Sequence, residues 1–288
     1  MTTYTYTHPK IKYLCEDLQH TIRSQEFINS PLTTAVLADG VLLDFEKAVH
    51  ILIAGETGSG KSVMVHNILA SLMVRNNPNT ADFLIIDPKI IEFEYYYRNN
   101  PCLLCPVVTE PEEAITALEK ASAIMMDRYE TLRSAGKRKW EGKKLYIVID
   151  EIADLISAGG KRLEKVIEKI ARLGRGAGVH LLVATQHPTA KVLSRQITSN
   201  LDTRICLRVI DGYASRLVLG TSGGENLHGA GNAILRMNGE FMQFRGAYMS
   251  DEQLDAFCHS WKLEEDKPDI SINFQTTADK FMQVLGMN

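Results

Sequence analysis

The sequence predicts an α/β fold with a mostly parallel central sheet flanked by helices. Six short apolar runs recur at residues 50–54, 83–87, 145–150, 179–184, 204–209 and 233–237. Most are continuous rather than alternating, which suits strands buried on both faces. Helix-like stretches separate them, and strand alternating with helix is the pattern of a helix-covered parallel sheet.

The elements follow in order. Residues 11–28 have weak helical periodicity broken by Ser30-Pro31 and form a short N-terminal appendage, placed at residues 1–40. The first strand runs into a glycine-rich turn, and a helix leaves it over residues 63–74. The second strand precedes the clearest helix, residues 112–134, where Ile115, Leu118, Ala121, Met125, Tyr129 and Leu132 fall at steps of three and four. Thr109 followed by Glu112 predicts a capping box, Pro111 is tolerated in the first turn, and Gly136 marks the stop. Near the end, residues 251–262 form an amphipathic helix with Leu254, Phe257, Cys258 and Trp261 on one face, followed by Pro268. The main domain is expected over residues 41–262, with a tail at 263–288.

Composition removes several classes. Of 288 residues, 32 are Lys or Arg and 35 are Asp or Glu, so a net charge of -3 excludes a globally basic, histone-like DNA binder. Hydrophobic residues at 45% exclude a mainly disordered chain. No apolar run reaches the roughly 18 residues of a membrane span, and the Thr- and Tyr-rich start is no secretory signal. Five cysteines, an odd number, describe no disulfide framework. A cytoplasmic protein is the simplest expectation.

Gly55-Glu56-Thr57-Gly58-Ser59-Gly60-Lys61-Ser62 matches the phosphate-loop pattern G-x-x-x-x-G-K-[ST] at every fixed position, with a strand entering and a helix leaving. Its backbone N–H groups and the helix N-terminus suit an anion. Residues Glu56, Thr57, Gly58, Ser59, Gly60, Lys61, Ser62 and Val63 are therefore the candidate nucleotide contacts. Lys61 would reach the β- and γ-phosphates, and the Ser62 hydroxyl would hold Mg²⁺.

The run Leu145-Tyr146-Ile147-Val148-Ile149-Asp150-Glu151 is a strand ending in two carboxylates. Alone such a pair is as easily a solvated loop. Beside a phosphate loop, Asp150 is the candidate for Mg²⁺, directly or through water, and Glu151 the candidate to orient or deprotonate an attacking water. A further strand ends in Thr185 and Gln186; Gln186 either senses the γ-phosphate through that water or simply turns the chain before Pro188. No N-K-x-D guanine-reading motif is present, so ATP is expected rather than GTP.

Taken together these motifs resemble the motor domain of the FtsK/SpoIIIE family of DNA translocases over roughly residues 35–262. The likeness rests on residues 51–69, Ile86-Asp87-Pro88-Lys89 with Glu92, Pro106-Val107-Val108-Thr109, residues 148–155, Arg175-Gly176-Ala177-Gly178-Val179-His180-Leu181, Ala184-Thr185-Gln186-His187-Pro188 and residues 245–252. It implies a RecA-like phosphate-loop NTPase core, ATP and Mg²⁺ between subunits of a ring, usually a hexamer, and double-stranded DNA driven through the pore. Lys61, Ser62, Asp150, Glu151 and Gln186 carry over as site residues. Arg175 and Arg216 match family arginines near the subunit boundary, and either could serve a neighbour's ATP or an ordinary salt bridge. The departures are a shortened N-terminal region, no winged-helix module, and His187 where arginine is common. They suggest a compact relative of plasmid or conjugative-element type, with relaxase or transfer and replication proteins as partners.

Two basic clusters are candidates for DNA phosphates or for solvated faces: Arg128, Arg133, Lys137, Arg138, Lys139, Lys143 and Lys144, and then Lys161, Arg162, Lys165, Lys169, Arg172 and Arg175, interleaved by Glu164 and Glu168. Cys102 and Cys105 read as small buried hydrophobes rather than zinc ligands. Tyr95, Tyr96 and Tyr97 read as packing under a loop. The competing functions are a type VII-like protein-secretion ATPase, a nucleotide-dependent assembly adaptor and a small-molecule kinase.

Overall fold

In chain order the elements are α1 (Glu16–Ile22), α2 (Gln25–Asn29), β1 (Thr34–Ala38), β2 (Val41–Asp44), α3 (Phe45–Ala48), β3 (Ile51–Ala54), α4 (Lys61–Arg75), β4 (Ala81–Ile86), α5 (Glu94–Tyr97), α6 (Pro111–Ser134), β5 (Lys144–Ile149), α7 (Ile152–Ala177), β6 (Val179–Thr185), α8 (Arg195–Thr198), β7 (Thr203–Leu207), α9 (Gly212–Leu219), β8 (Asn232–Met237), β9 (Glu240–Arg245) and α10 (Asp251–Cys258). The computed structural model describes residues 9–90, 92–97 and 100–261. The expected tail at 263–288 and Lys262, the last residue of the expected 251–262 helix, lie outside them.

The main sheet has seven strands in the order β4-β5-β6-β3-β7-β8-β9. The first five are mutually parallel, and β8 and β9 add an antiparallel hairpin. The continuous apolar runs now have their reason. Ile51 and Ile53 of β3 enter one core with α4, whereas Leu52 and Ala54 enter the other with α6 and α7. Phe83 and Ile85 of β4 divide from Leu84 and Ile86 in the same way. A strand clothed on both faces has no polar side to reveal its period.

The first core also takes in the N-terminal residues. Leu14, Leu18 and Phe27 are buried, and β1 and β2 form an antiparallel hairpin over α4. Buried Ser71 fixes it: its hydroxyl accepts from the Val36 N–H at 2.9 Å. The expected capping box of α6 does not form. Pro111 occupies the first helical position, which makes Glu110 the N-cap and leaves Thr109 one residue too early, and Glu110 makes no side-chain cap bond. Helix α7 breaks at Gly160, whose φ of 48° and ψ of −134° only glycine adopts without strain. No helix among the described residues is long and apolar enough to cross a membrane.

Candidate functional site

In a parallel sheet the carboxyl ends of the strands share one edge, where ligands of open α/β sheets bind. Here β3, β4, β5 and β6 deliver the phosphate loop, Asp87, the pair Asp150-Glu151 and the pair Thr185-Gln186 to one cleft.

The loop is fastened at several points. Gly55 N–H donates to the Thr185 carbonyl at 3.2 Å, Glu56 N–H to the Arg208 carbonyl at 2.9 Å, and Ser59 N–H to the Glu56 carbonyl at 3.1 Å. The Glu56 carboxylate is committed to the Arg208 guanidinium at 2.5 Å. Thr57 donates its hydroxyl to the Gln186 side-chain oxygen at 3.0 Å. Gly60 has φ of 100°, and a Cβ there would meet the Gly231 nitrogen at 2.9 Å. That nitrogen donates to the Ser59 carbonyl at 2.9 Å. The N–H groups of Gly58, Gly60 and Lys61 donate to no acceptor among the described residues, and they open onto the first turn of α4. This is the anion cradle such a loop provides. Val63 lies beyond it, half-buried against the first core.

The Lys61 ammonium is inserted into the cleft, 2.5 Å from Asp150 Oδ1 and 3.0 Å from the Asp150 carbonyl. Both side chains are nearly sealed, at 3% and 1% exposure. Burial pushes the Asp150 carboxyl above the ordinary carboxylate range, and the Lys61 charge opposes it. Its second oxygen, Oδ2, is buried without a partner. Nearby is the Glu92 carboxyl, whose pKa is raised by burial and by Asp150 against the opposing pull of Lys61 and Ser62. A serine hydroxyl, an unsatisfied carboxylate oxygen and a second carboxylate make a set of hard oxygen donors, which fits Mg²⁺.

Glu151 is fully buried beside this corner. Its Oε1 accepts from the Thr185 hydroxyl at 2.7 Å and from Ala153 N–H at 3.3 Å, so it also caps α7. Its Oε2 accepts from Gln186 N–H at 2.8 Å and faces the Lys89 ammonium at 3.5 Å. Sequence reasoning gave no individual role to Lys89, Thr185, Glu92, Arg208 or Gly231. Lys89 and Glu92 had a signal, since they flank a strand end in the Asp-Pro-Lys stretch; Arg208 and Gly231 had none.

Arg175 stands apart from the cleft. Arg175 is exposed at the end of α7, just before β6, and β6 is about 20 Å long at ~3.3 Å per residue, so it sits at the opposite sheet edge. Arg216 is exposed on α9. The first basic cluster is largely compensated. Lys139 and Lys144 pair with Glu46, Lys143 with Asp82 and Lys137 with Glu141. Buried Arg128 caps the Ala177 and Gly178 carbonyls. In the second cluster Arg162 forks onto Glu119, but exposed Lys161, Lys165, Lys169 and Arg172 have no acidic partner among the described residues. Cys102 and Cys105 are buried free thiols whose pKa burial pushes up to about 12. Tyr97 is fully buried and Tyr95 is exposed.

A sequence model of the FtsK/SpoIIIE family matches residues 23–145 and 140–190, together more than half of the chain. The chain is 34% identical over 262 residues to the DNA translocase FtsK of Staphylococcus aureus, covering 84% of this chain and 33% of that protein. With the DNA translocase FtsK of Campylobacter jejuni it shares 38% over 236 residues, covering 75% and 25%. It thus spans about a third or less of the length of these relatives. Among solved structures it is similar to the pCW3 conjugation coupling protein TcpA with ATPγS, with a TM-score of 0.69, 29% identity, and coverage of 80% of this chain and 70% of that one. It is also similar to the cytoplasmic domain of the Thermomonospora curvata type VII secretion ATPase EccC, with a TM-score of 0.64, 27% identity, and coverage of 79% and 30%. On these matches the chain belongs to the FtsK/SpoIIIE family.

Proposed function

We propose that this chain is an ATPase that couples hydrolysis to movement of double-stranded DNA, working in the cytoplasm as a ring, hexameric by the family's habit. The observation that carries the reading is the contact between Lys61 and Asp150 with Glu151 beside them. The loop N–H groups of Gly58, Gly60 and Lys61 receive the phosphates. Lys61 exchanges Asp150 for phosphate oxygens, and the vacated carboxylate, with Ser62, becomes the Mg²⁺ corner. Bound there, Mg²⁺ supplies charge neutralisation on the phosphates. Glu151 orients the attacking water and takes its proton, and Gln186 ties that carboxylate to the phosphate loop through Thr57. Arg175 and Arg216, both exposed, are free to serve a neighbouring subunit.

DNA contact is assigned to α7. Lys161, Lys165, Lys169 and Arg172 recur at helical spacing on one face and span about 16 Å at ~1.5 Å per residue. A duplex presents a charge about every 1.7 Å, so unpaired cations at that spacing suit phosphates without reading bases. The relatives named DNA translocase and conjugation coupling protein support DNA as the substrate; transfer proteins, a relaxase among them, are the partners we propose. The likeness to the EccC secretion ATPase keeps a polypeptide substrate as the second reading.

Steady-state ATPase rates with linear double-stranded DNA and with an unstructured peptide separate the two. Stimulation by DNA alone is expected. Stimulation by peptide alone would transfer the chain to the secretion class.

A further inference from the structure

The cleft pairs two lysines with two of its carboxylates, and the phosphate-loop chemistry uses only one of the lysines. Lys61 takes Asp150 as its partner, and Lys89 takes Glu151. The mounts differ. Lys89 stands on the loop that follows β4, and that loop is wound about the fully buried Asp87. The Asp87 carboxylate accepts the N–H groups of Lys89 at 3.2 Å, Glu92 at 3.2 Å, Phe93 at 2.9 Å and Glu94 at 3.4 Å. Asp87 N–H is in turn held by the Val108 carbonyl at 2.9 Å, and Phe93 is buried. Because β4 lies beside β5, the loop carries Lys89 over the Asp150-Glu151 end.

The contact that Lys89 makes is the loosest of those on Glu151. Three other donors are a buried hydroxyl and two backbone N–H groups, none of which can travel. Lys89 is charged, flexible and 30% exposed, and its 3.5 Å separation is long for a hydrogen bond. No other acidic partner is within ion-pair distance among the described residues. Four donors on one carboxylate fill its roughly four lone-pair sites. A Glu151 so occupied has no acceptor left for a water proton. A terminal phosphate carries about two negative charges, so at equal distance it attracts an ammonium about twice as strongly as a carboxylate does.

We propose that Lys89 is a second phosphate-binding lysine: it recognises the terminal phosphate of a nucleoside triphosphate and, by leaving Glu151 for it, frees one carboxylate lone pair for the attacking water. The second half rests on Glu151 acting as the base; the first half does not. A diphosphate offers Lys89 nothing to move to, so the residue discriminates triphosphate from diphosphate.

The test is calorimetric titration of the full chain with Mg-ATPγS and with Mg-ADP, on wild type, Lys89→Met, Lys89→Arg and Glu151→Gln. Lys89→Met should weaken ATPγS about ten- to a hundred-fold, the scale of one charged hydrogen bond, and leave ADP within about twofold; ADP binding thereby reports that the variant is folded. Lys89→Arg should regain most of the lost preference. Glu151→Gln removes the competing charge and should raise the ATPγS preference. Equal losses for both nucleotides, or an ATPγS affinity that Lys89→Met leaves unchanged, would overturn the assignment. If Glu151→Gln hydrolyses ATP at the wild-type rate while the Lys89 preference holds, the base assignment fails and phosphate recognition stands.

Discussion

Replacing Lys61 by alanine should destabilise the nucleotide-free protein itself, before any ligand is considered. The ammonium and Asp150 are 2.5 Å apart and at most 3% exposed, and Asp150 Oδ2 already lacks a partner. Breaking such a pair from one side strands a buried charge at about 3–5 kcal/mol. At roughly 2–4 °C per kcal/mol for a chain of this size, the midpoint should fall by about 6–20 °C. The deficit should depend on pH with a definite sign. Burial already holds the folded-state pKa of Asp150 above its unfolded value, and losing Lys61 raises it further. Stability from such a group is present at low pH and lost as pH rises through the folded pKa. Lys61→Ala should therefore lag wild type most at pH 8 and least near pH 5. Urea unfolding at both pH values, in a double-mutant cycle with Asp150→Asn, reads this directly. The double variant should lose less than the two singles added. Strict additivity, or a Lys61→Ala protein as stable as wild type at pH 8, would refute the buried-pair argument.

Three further outcomes are expected. Burial lowers the pKa of His50 to about 3, of His66 to about 3 and of His180 to about 4; the unfolded chain takes up protons first, so each contributes stability above pH ~6.5 that is lost at about 1.4 kcal/mol per pH unit as pH falls toward those values, and a urea midpoint that stays flat from pH 7 to pH 5 would contradict it. Gly60→Ala forces a Cβ against the Gly231 nitrogen at positive φ, so nucleotide affinity by calorimetry should collapse and stability should fall by about 1–3 kcal/mol; wild-type affinity would remove Gly60 from the cradle. Neutralising Lys161, Lys165, Lys169 and Arg172 together to glutamine should weaken binding to duplexes of unrelated sequence alike and reduce the slope of log affinity against log salt by up to about 3.6, at ~0.9 per phosphate contact, whereas an unchanged slope would move the DNA surface elsewhere.

The parts of the fold legible in the sequence are those where one physical cause dominates. Strands β3 to β7 announce themselves because burial on both faces makes them continuously apolar, whereas β8 is an apolar run buried only at Ala233 and Leu235. The phosphate loop is legible because glycine, lysine and serine each answer a separate demand of one anion. What escaped depends on partners distant in sequence. Thr34–Ala38 is all buried under α1 and α4, yet it follows the Ser30-Pro31 break inside the residues expected as a short N-terminal appendage. Strand β9 is an edge strand with exposed Phe241 and Met242, so it has no buried period to find. The contacts around Glu151 join residues 89, 153, 185 and 186, and only the sheet order that sets β5 between β4 and β6 brings them together. The basic clusters could not be ranked from sequence, because compensation by Glu46 and Asp82 is a matter of folding, not spacing.

In the function proposed, the cleft formed by Lys61, Asp150 and Glu151 drives DNA movement. The most direct measurement is displacement of a triplex-forming oligonucleotide from a linear duplex by wild type and by Glu151→Gln at saturating ATP. Wild type should strip the third strand and Glu151→Gln should bind the duplex and leave it in place. A wild-type protein that hydrolyses ATP on DNA without displacing the strand, or a Glu151→Gln variant that displaces it equally fast, would contradict the account.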